Sequence, residues 1–84
     1  MEKTRVKAQH SLKYRPLPGL LRQLREDAGL NQRELGAILK KNQQYVFNSE
    51  HGLRRVDPAE MVTWAEACGI TPTVAFNRFL KLIK

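Results

Sequence analysis

The chain has 84 residues, a length that fits one small domain with a modest core and is too short for two domains. Hydrophobic residues make up 42% of the chain and charged residues 27%, a balance typical of a globular domain, so we exclude a wholly disordered chain. The 15 lysines and arginines outnumber the 8 aspartates and glutamates, and the formal net charge of +7 favours a polyanionic partner such as nucleic acid or anionic lipid.

The first segment of the chain, residues 1–18, shows no sustained helical or strand period. Pro16, Pro18 and Gly19 break the chain before the first apolar helical pattern. The segment has one acidic residue, Glu2, against five basic ones: Lys3, Arg5, Lys7, Lys13 and Arg15. We therefore expect a basic N-terminal arm over residues 1–18 and a folded domain over residues 19–84.

Two helices are predicted directly after this arm. The first covers about residues 19–28, with apolar residues at helical spacing: Leu20, Leu21, Leu24 and Ala28. The second begins at "NQRE", where the Asn31 side chain can accept from a first-turn amide while Glu34 reaches back, the arrangement called a capping box. Its buried stripe is Leu35, Ile38 and Leu39.

The third helix lies in "NQQYVFNSEHG", residues 42–52, with Asn42 as its N-cap. Helices two and three are short and joined by only a few residues, so they must cross steeply, which predicts a helix-turn-helix. Helical spacing divides the third helix into two faces. The inward face is expected to hold Val46, Ser49 and Glu50, and the exposed face Gln44, Phe47, Asn48 and His51.

Two more helices complete an all-α prediction. "DPAE" repeats the start signal, with Asp57 as cap, Pro58 at the first helical position and Glu60 closing the box; the inner face is Met61, Trp64 or Ala65, and Cys68. Thr71 and Pro72 begin the fifth helix, whose apolar surface is broader than a stripe and could meet a partner: Val74, Phe76, Phe79, Leu80 and Ile83. Gly29, Gly52 and Gly69 are expected to end helices in the left-handed conformation.

Several kinds of site and location are not expected. The single cysteine, Cys68, excludes an internal disulfide and, with only His10 and His51, cannot complete the usual four-ligand zinc site. We find neither a nucleophile motif nor a phosphate-binding glycine loop, and we predict no enzyme and no cofactor. No apolar run approaches the roughly 18 to 20 residues of a membrane span, and no signal peptide is evident, so we expect a cytoplasmic protein without a membrane partner.

The exposed amides of the third helix have two interpretations. Glutamine and asparagine each offer a donor and an acceptor that match adenine in the major groove, and an apolar ring can contact a thymine methyl group. A polar surface helix of no special function has the same composition. The helix alone does not decide between them.

The wider sequence does help, because "LRQLREDAGLNQRELGAILKKNQQYVFNSEHG" resembles the phage repressor/Cro-type (XRE) helix-turn-helix family. The spacing from Gly29 through Gln32, Leu35, Val46, Glu50 and Gly52 contains no gap. The resemblance implies a compact five-helix, lambda-repressor-like bundle that binds double-stranded DNA as a homodimer, with the third helix in the major groove.

The resemblance also assigns roles to individual residues. It makes Gln32 a phosphate contact and gives four candidate groove contacts: Asn42, Gln43, Gln44 and Asn48. It pairs Arg25 with Glu50 in a structural ion pair. Arg54 and Arg55 follow the third helix where the family's loop meets the phosphate backbone, although a solvated pair of arginines is the alternative.

The sequence departs from the family pattern at four positions. Gly36 stands in place of an alanine, which is sterically safe but costs about 1 kcal/mol of helix propensity. Lys40 replaces the usual turn glycine, so a positive φ is strained or the turn has another shape. Phe47 and Ser49 replace a serine and a larger apolar residue. They leave open whether Phe47 faces DNA or protein, and we favour DNA.

The functional prediction is a transcriptional regulator that represses by binding a palindromic operator as a homodimer, with Phe79 and Leu80 of helix five in the dimer interface. The basic arm would follow the duplex or enter a minor groove. One alternative is an antitoxin-like module that binds a partner protein and regulates its own operon. Another is a bundle that no longer binds DNA, with Phe47 buried in a protein interface.

Overall fold

A computed structural model describes residues 11–83 of the chain, so most of the predicted arm lies outside the described residues. This part forms the five predicted helices and no strand: α1 (Leu17–Asp27), α2 (Gln32–Leu39), α3 (Gln43–Glu50), α4 (Pro58–Ala67) and α5 (Pro72–Leu82). Among the described helices, none has the length and apolar character to cross a membrane. The all-α helix-turn-helix prediction is confirmed.

The helix start signals operate as the sequence predicts. Asn31 Oδ1 accepts from the Glu34 amide at 2.7 Å, and Glu34 Oε1 accepts from the Asn31 amide at 2.8 Å. Asp57 and Glu60 form the same reciprocal box at the start of α4, with distances of 2.8 and 2.9 Å. These side chains satisfy amides that have no partner within the helix, and so fix where α2 and α4 begin.

The first helix begins earlier than expected, at Leu17 instead of residue 19. Tyr14 and Leu17, both assigned to the arm from sequence, are buried in the core, and the Tyr14 hydroxyl accepts a hydrogen bond from the Val56 amide at 2.7 Å. Pro18 does not prevent this start, since proline is tolerated in the first helical turn. The apolar spacing of α1 therefore continues upstream to Tyr14.

All five helices contribute side chains to the core, and Trp64 on α4 is its largest fully buried side chain. The Trp64 indole Nε1 donates to the Leu21 carbonyl at 3.1 Å, so its polar atom is satisfied. Met61 and Ala65 are also buried. Cys68, expected on the inner face, is half-buried against this core, and burial raises the pKa of its thiol to about 11.

The turn between α2 and α3 is tight. Lys40 ends α2 with φ 59° and ψ 40°, the left-handed conformation that glycine adopts most easily. Gly36 packs directly beneath the turn: a Cβ atom at this position would lie 2.9 Å from the Lys41 carbonyl oxygen and 3.2 Å from that of Asn42. Glycine at position 36 is therefore what allows the two helices to approach so closely.

Candidate nucleic-acid interface

Helix α3 has one buried face and one exposed face. Val46, Ser49 and Glu50 are buried within the bundle. On the other side, Gln43, Gln44, Phe47 and His51 are exposed and Asn48 is half-buried. The rotation of α3 that the sequence left uncertain thus places Phe47, 37% exposed, beside the amides and outside the core.

The amide side chains of this face are ordered by hydrogen bonds. Gln44 Nε2 donates to Asn48 Oδ1 at 2.9 Å, one helical turn away. Gln43 Nε2 donates to Gln32 Oε1 at 3.3 Å, and Gln32 Nε2 donates in turn to Glu50 Oε1 at 3.1 Å. The start of α2 is therefore bonded directly to the exposed face of α3, and Gln32 links both to the buried carboxylate of Glu50.

That carboxylate belongs to a buried ion pair between Arg25 and Glu50. Arg25 Nε donates to Glu50 Oε2 at 2.6 Å and Nη2 donates to Oε1 at 3.0 Å, while Nη1 donates to the Leu30 carbonyl at 2.9 Å. The Glu50 side chain is 0% exposed and that of Arg25 only 10%. The hydrogen bonds that Arg25 donates to Glu50 raise the pKa of Arg25, although burial opposes this.

Arg54, expected to meet phosphate, is instead engaged within the protein. Its Nη2 donates to Glu60 Oε2 at 2.7 Å, its Nη1 donates to Ser49 Oγ at 3.3 Å, and its guanidinium lies 4.3 Å from the centre of the Tyr45 ring. The Tyr45 hydroxyl donates to the same Glu60 oxygen at 3.0 Å. Of the two arginines only Arg55 is exposed.

The Tyr45–Arg54–Glu60 cluster holds the loop after α3 against α4. Burial, together with the hydrogen bond to Glu60, raises the pKa of Tyr45. Burial alone would raise the pKa of Glu60, but hydrogen bonds from Arg54, the Asp57 amide and Tyr45 outweigh it, and the pKa is lowered. For Arg54 the Glu60 interactions outweigh the opposing effect of burial and raise its pKa. At neutral pH Arg54 and Glu60 are therefore charged and Tyr45 is neutral, and the contacts of all three are structural.

An aromatic pair occupies the end of the exposed face of α3. The rings of Phe47 and His51 are stacked, with centroids 3.9 Å apart and planes 20° apart. His51 Nδ1 lies 2.9 Å from the Phe47 carbonyl oxygen. From the sequence, helical spacing placed His51 on this face, but His51 was not included among the site residues. The four-residue separation of the two aromatic residues could have predicted that their rings meet.

Two further predicted residues differ in their surroundings. Asn42 uses its side-chain oxygen as the N-cap of α3, accepting from the Tyr45 amide at 2.9 Å. Phe79, predicted with Leu80 in the dimer interface, is partly buried against the core, whereas Leu80 is 43% exposed.

Within residues 11–83 no group of three or more His, Cys, Asp or Glu residues could hold a metal ion.

Comparison with known proteins agrees with this geometry. A family model described as "Helix-turn-helix" matches residues 21–74, well over half of the chain. No curated protein sequence matches the chain. The chain is also similar to solved structures. An XRE-family like protein from Pseudomonas syringae pv. tomato str. DC3000 has 30% identity and a TM-score of 0.78, with 87% of this chain and 89% of that one covered.

The second structure is the clp gene regulator ClgR from C. glutamicum, with 22% identity, a TM-score of 0.75, and 88% of this chain and 95% of that one covered. At this identity it shows the fold alone. The family match and the Pseudomonas structure carry the assignment. The chain belongs to the XRE-type helix-turn-helix family of DNA-binding transcriptional regulators.

Proposed function

We propose that this protein is a sequence-specific repressor that binds a palindromic operator as a homodimer, with α3 in the major groove of each half-site. The observation that carries the proposal is the division of α3 into a fully buried face and an exposed face of amides. A helix packed in this way presents the same side chains in the same place each time it meets a duplex, as base reading requires.

The groove contacts follow from the chemistry of the exposed face. A side-chain amide can donate to N7 of adenine and accept from its N6 amino group. We therefore assign Gln44 and Asn48, which are hydrogen-bonded to each other, to an adenine. Gln43 is held by Gln32 and is the neighbouring groove contact. Asn42 keeps only its amide NH₂ for DNA, because its oxygen caps α3.

The phosphate contacts lie on either side of this face. Gln32 opens α2, where the positive end of the helix dipole favours a phosphate. Arg55 is the exposed arginine of the loop after α3 and takes the role that Arg54 cannot take without breaking its contacts with Glu60 and Ser49. These contacts set the register of the protein on DNA and do not select its sequence.

The proposed dimer surface lies on α4 and α5. Val62 and Phe76, 42% and 48% exposed, line an apolar groove of about 430 Å³ together with Met61, Pro72 and Phe79. Leu80, 43% exposed, lies one helical turn beyond Phe76 on α5. Exposed apolar surface of this kind marks an interaction site. A second copy is the occupant that a palindromic operator requires, since the two-fold axis of the site must match that of the protein.

The reading role of Gln44 can be tested after selection of binding sites from random duplexes. Gln44→Ala is expected to weaken binding to the selected site by about 1 to 3 kcal/mol and to relax preference at one base pair of each half-site. Gln23→Ala is the matched control, because Gln23 is also exposed and hydrogen-bonded four residues along its helix, to Asp27. Equal losses on all sequences would refute the reading role.

The alternative of a bundle that no longer binds DNA is separated by a salt titration. A DNA reader loses affinity steeply as salt rises, with a log-log slope of about −0.9 for each phosphate neutralised. A module that binds only protein shows almost no slope on duplex DNA. In that case the apolar groove of α4 and α5 would be the binding site for its partner.

A further inference from the structure

We propose that Phe47 and His51 act as one aromatic plate that recognises the 5-methyl group of a thymine in each half-site, Phe47 by direct contact and His51 as a positioning residue. The inference rests on the proposed function and adds to it a base and a chemical group.

The plate places an aromatic ring among the amides on the exposed face of α3. Phe47 does not belong to the core, and it is 37% exposed among amides. An apolar ring in that setting leaves apolar surface in water, which is unfavourable unless a ligand covers it. The ligand must be apolar where it meets the ring, and the thymine methyl is the only apolar group that a base edge presents in the major groove.

His51 fixes the position of the Phe47 ring. The two rings are 3.9 Å apart and nearly parallel, so one face of Phe47 is covered by the imidazole. The imidazole is held in turn by Nδ1, which lies 2.9 Å from the Phe47 carbonyl oxygen. Because a carbonyl oxygen only accepts hydrogen bonds, this contact requires the hydrogen on Nδ1, and in the neutral ring Nε2 is then an acceptor.

The position of the plate along α3 links it to the amide contacts. Gln44, Phe47, Asn48 and His51 follow one another at helical spacing, so the plate continues the row that the amides begin. A base pair next to the adenine assigned to Gln44 and Asn48 would meet the phenyl ring. The ring offers no hydrogen bond, so it discriminates by the presence of a methyl group and not by donor and acceptor pattern.

The experiment removes only that methyl group. In the selected operator, each thymine is replaced in turn by deoxyuridine in both half-sites, and dissociation constants are measured for the wild type, Phe47→Ala, His51→Ala and His51→Phe. At one thymine per half-site the wild type should lose roughly four-fold in affinity for each methyl removed, the value of one buried CH₂ group. Phe47→Ala should lose nothing further from the same replacement.

The His51 variants separate positioning from stability. His51→Ala should reduce the thymine-to-uracil ratio towards one, whereas His51→Phe, which keeps a stacked ring, should retain most of it. Thermal unfolding shows that each variant is folded, and a residue that merely stabilised α3 would lower affinity without changing the ratio.

The results also distinguish a failure of the proposed function from a failure of the plate alone. If the wild type shows no sequence-selective binding, the proposed function and the plate are both wrong. If it binds selectively but deoxyuridine costs the same in Phe47→Ala as in the wild type at every position, the plate is wrong and the proposed function stands.

Discussion

At the scale of single residues, the buried carboxylate of Glu50 joins the folded core to Gln32 and, through it, to the exposed face of α3. It accepts two hydrogen bonds from Arg25 and one from Gln32. Glu50→Gln removes the charge and leaves the Arg25 guanidinium buried without its counter-ion. We expect a loss of about 3 to 5 kcal/mol in the free energy of unfolding, measured by urea denaturation.

An exposed ion pair provides the control for this prediction. Arg22 and Glu26 are also paired, at 3.0 Å, but their side chains are 58% and 44% exposed. Glu26→Gln should therefore cost less than about 0.5 kcal/mol, because solvent screens the pair. A Glu50→Gln variant no less stable than Glu26→Gln would show that the buried pair does not contribute as we propose. The double variant Arg25→Met, Glu50→Leu should recover much of the loss, since it leaves no unpaired charge.

At the scale of the helices, replacement of a glycine by alanine is expected to change stability in opposite directions in α1 and α2. Both Gly19→Ala and Gly36→Ala raise helix propensity by about 1 kcal/mol. A Cβ at Gly19 meets nothing within 4 Å, so that variant should be more stable in thermal unfolding. At Gly36 the Cβ would lie 2.9 Å from a backbone oxygen, and the displacement of the turn should outweigh the gain by about 1 kcal/mol.

The two substitutions check each other, because they make the same chemical change. If both raised the melting temperature, the turn would be able to move away from position 36 without cost. In that case Gly36 would not be a determinant of the approach of α2 to α3.

At the turn residue Lys40, we predict the effect of introducing a glycine. Its φ of 59° places a side chain in a left-handed conformation that costs about 1 to 2 kcal/mol outside glycine. Lys40→Gly should therefore stabilise the protein by about 0.5 to 1 kcal/mol, once the extra freedom of the unfolded chain is allowed for. Lys41→Gly removes the same charge at a neighbouring position without a positive φ and should destabilise it. A loss of stability in Lys40→Gly would contradict the assigned strain.

Much of this element could be predicted from the sequence because its signals are local. Asn31 with Glu34, and Asp57 with Glu60, mark helix starts through bonds made within four residues. The contacts of Tyr14 and Arg54 could not be predicted, because they form only once distant parts of the chain have packed: the Tyr14 hydroxyl meets the Val56 amide, and Arg54 reaches Glu60 between α3 and α4. Local patterns carry no information about such contacts.

At the scale of the whole molecule, charge is concentrated near the N-terminus. Residues 2–10 contain Lys3, Arg5 and Lys7 against Glu2. If these three side chains neutralise phosphates as an arm, deleting residues 2–10 should make the salt slope of operator binding less steep by up to about 2.7, at about 0.9 for each contact. Replacing the three residues by glutamine is the control for chain length, and an unchanged slope in both variants would remove the arm from the interface.

We propose that the dimer forms through α5, where neighbouring apolar residues have different surroundings. Phe76, which lines the apolar groove, and Leu80, one helical turn further along, are exposed, whereas Phe79 packs against the core. Leu80→Glu should therefore give a folded monomer by sedimentation equilibrium and circular dichroism, with weaker binding to the palindrome but unchanged binding to a single half-site. Phe79→Glu should unfold the domain, because it places a charge against buried apolar side chains.

The control for Leu80→Glu is the same change at an exposed apolar residue on another helix. Ile38, expected from the sequence in the buried stripe of the second helix, is instead 51% exposed on α2. Ile38→Glu should therefore leave the dimer intact. If Leu80→Glu remains a dimer with full affinity for the palindrome, the two-fold interface does not lie on this face. The two reading helices would then have to be related through another surface, at a separation that still matches half-sites about 34 Å apart.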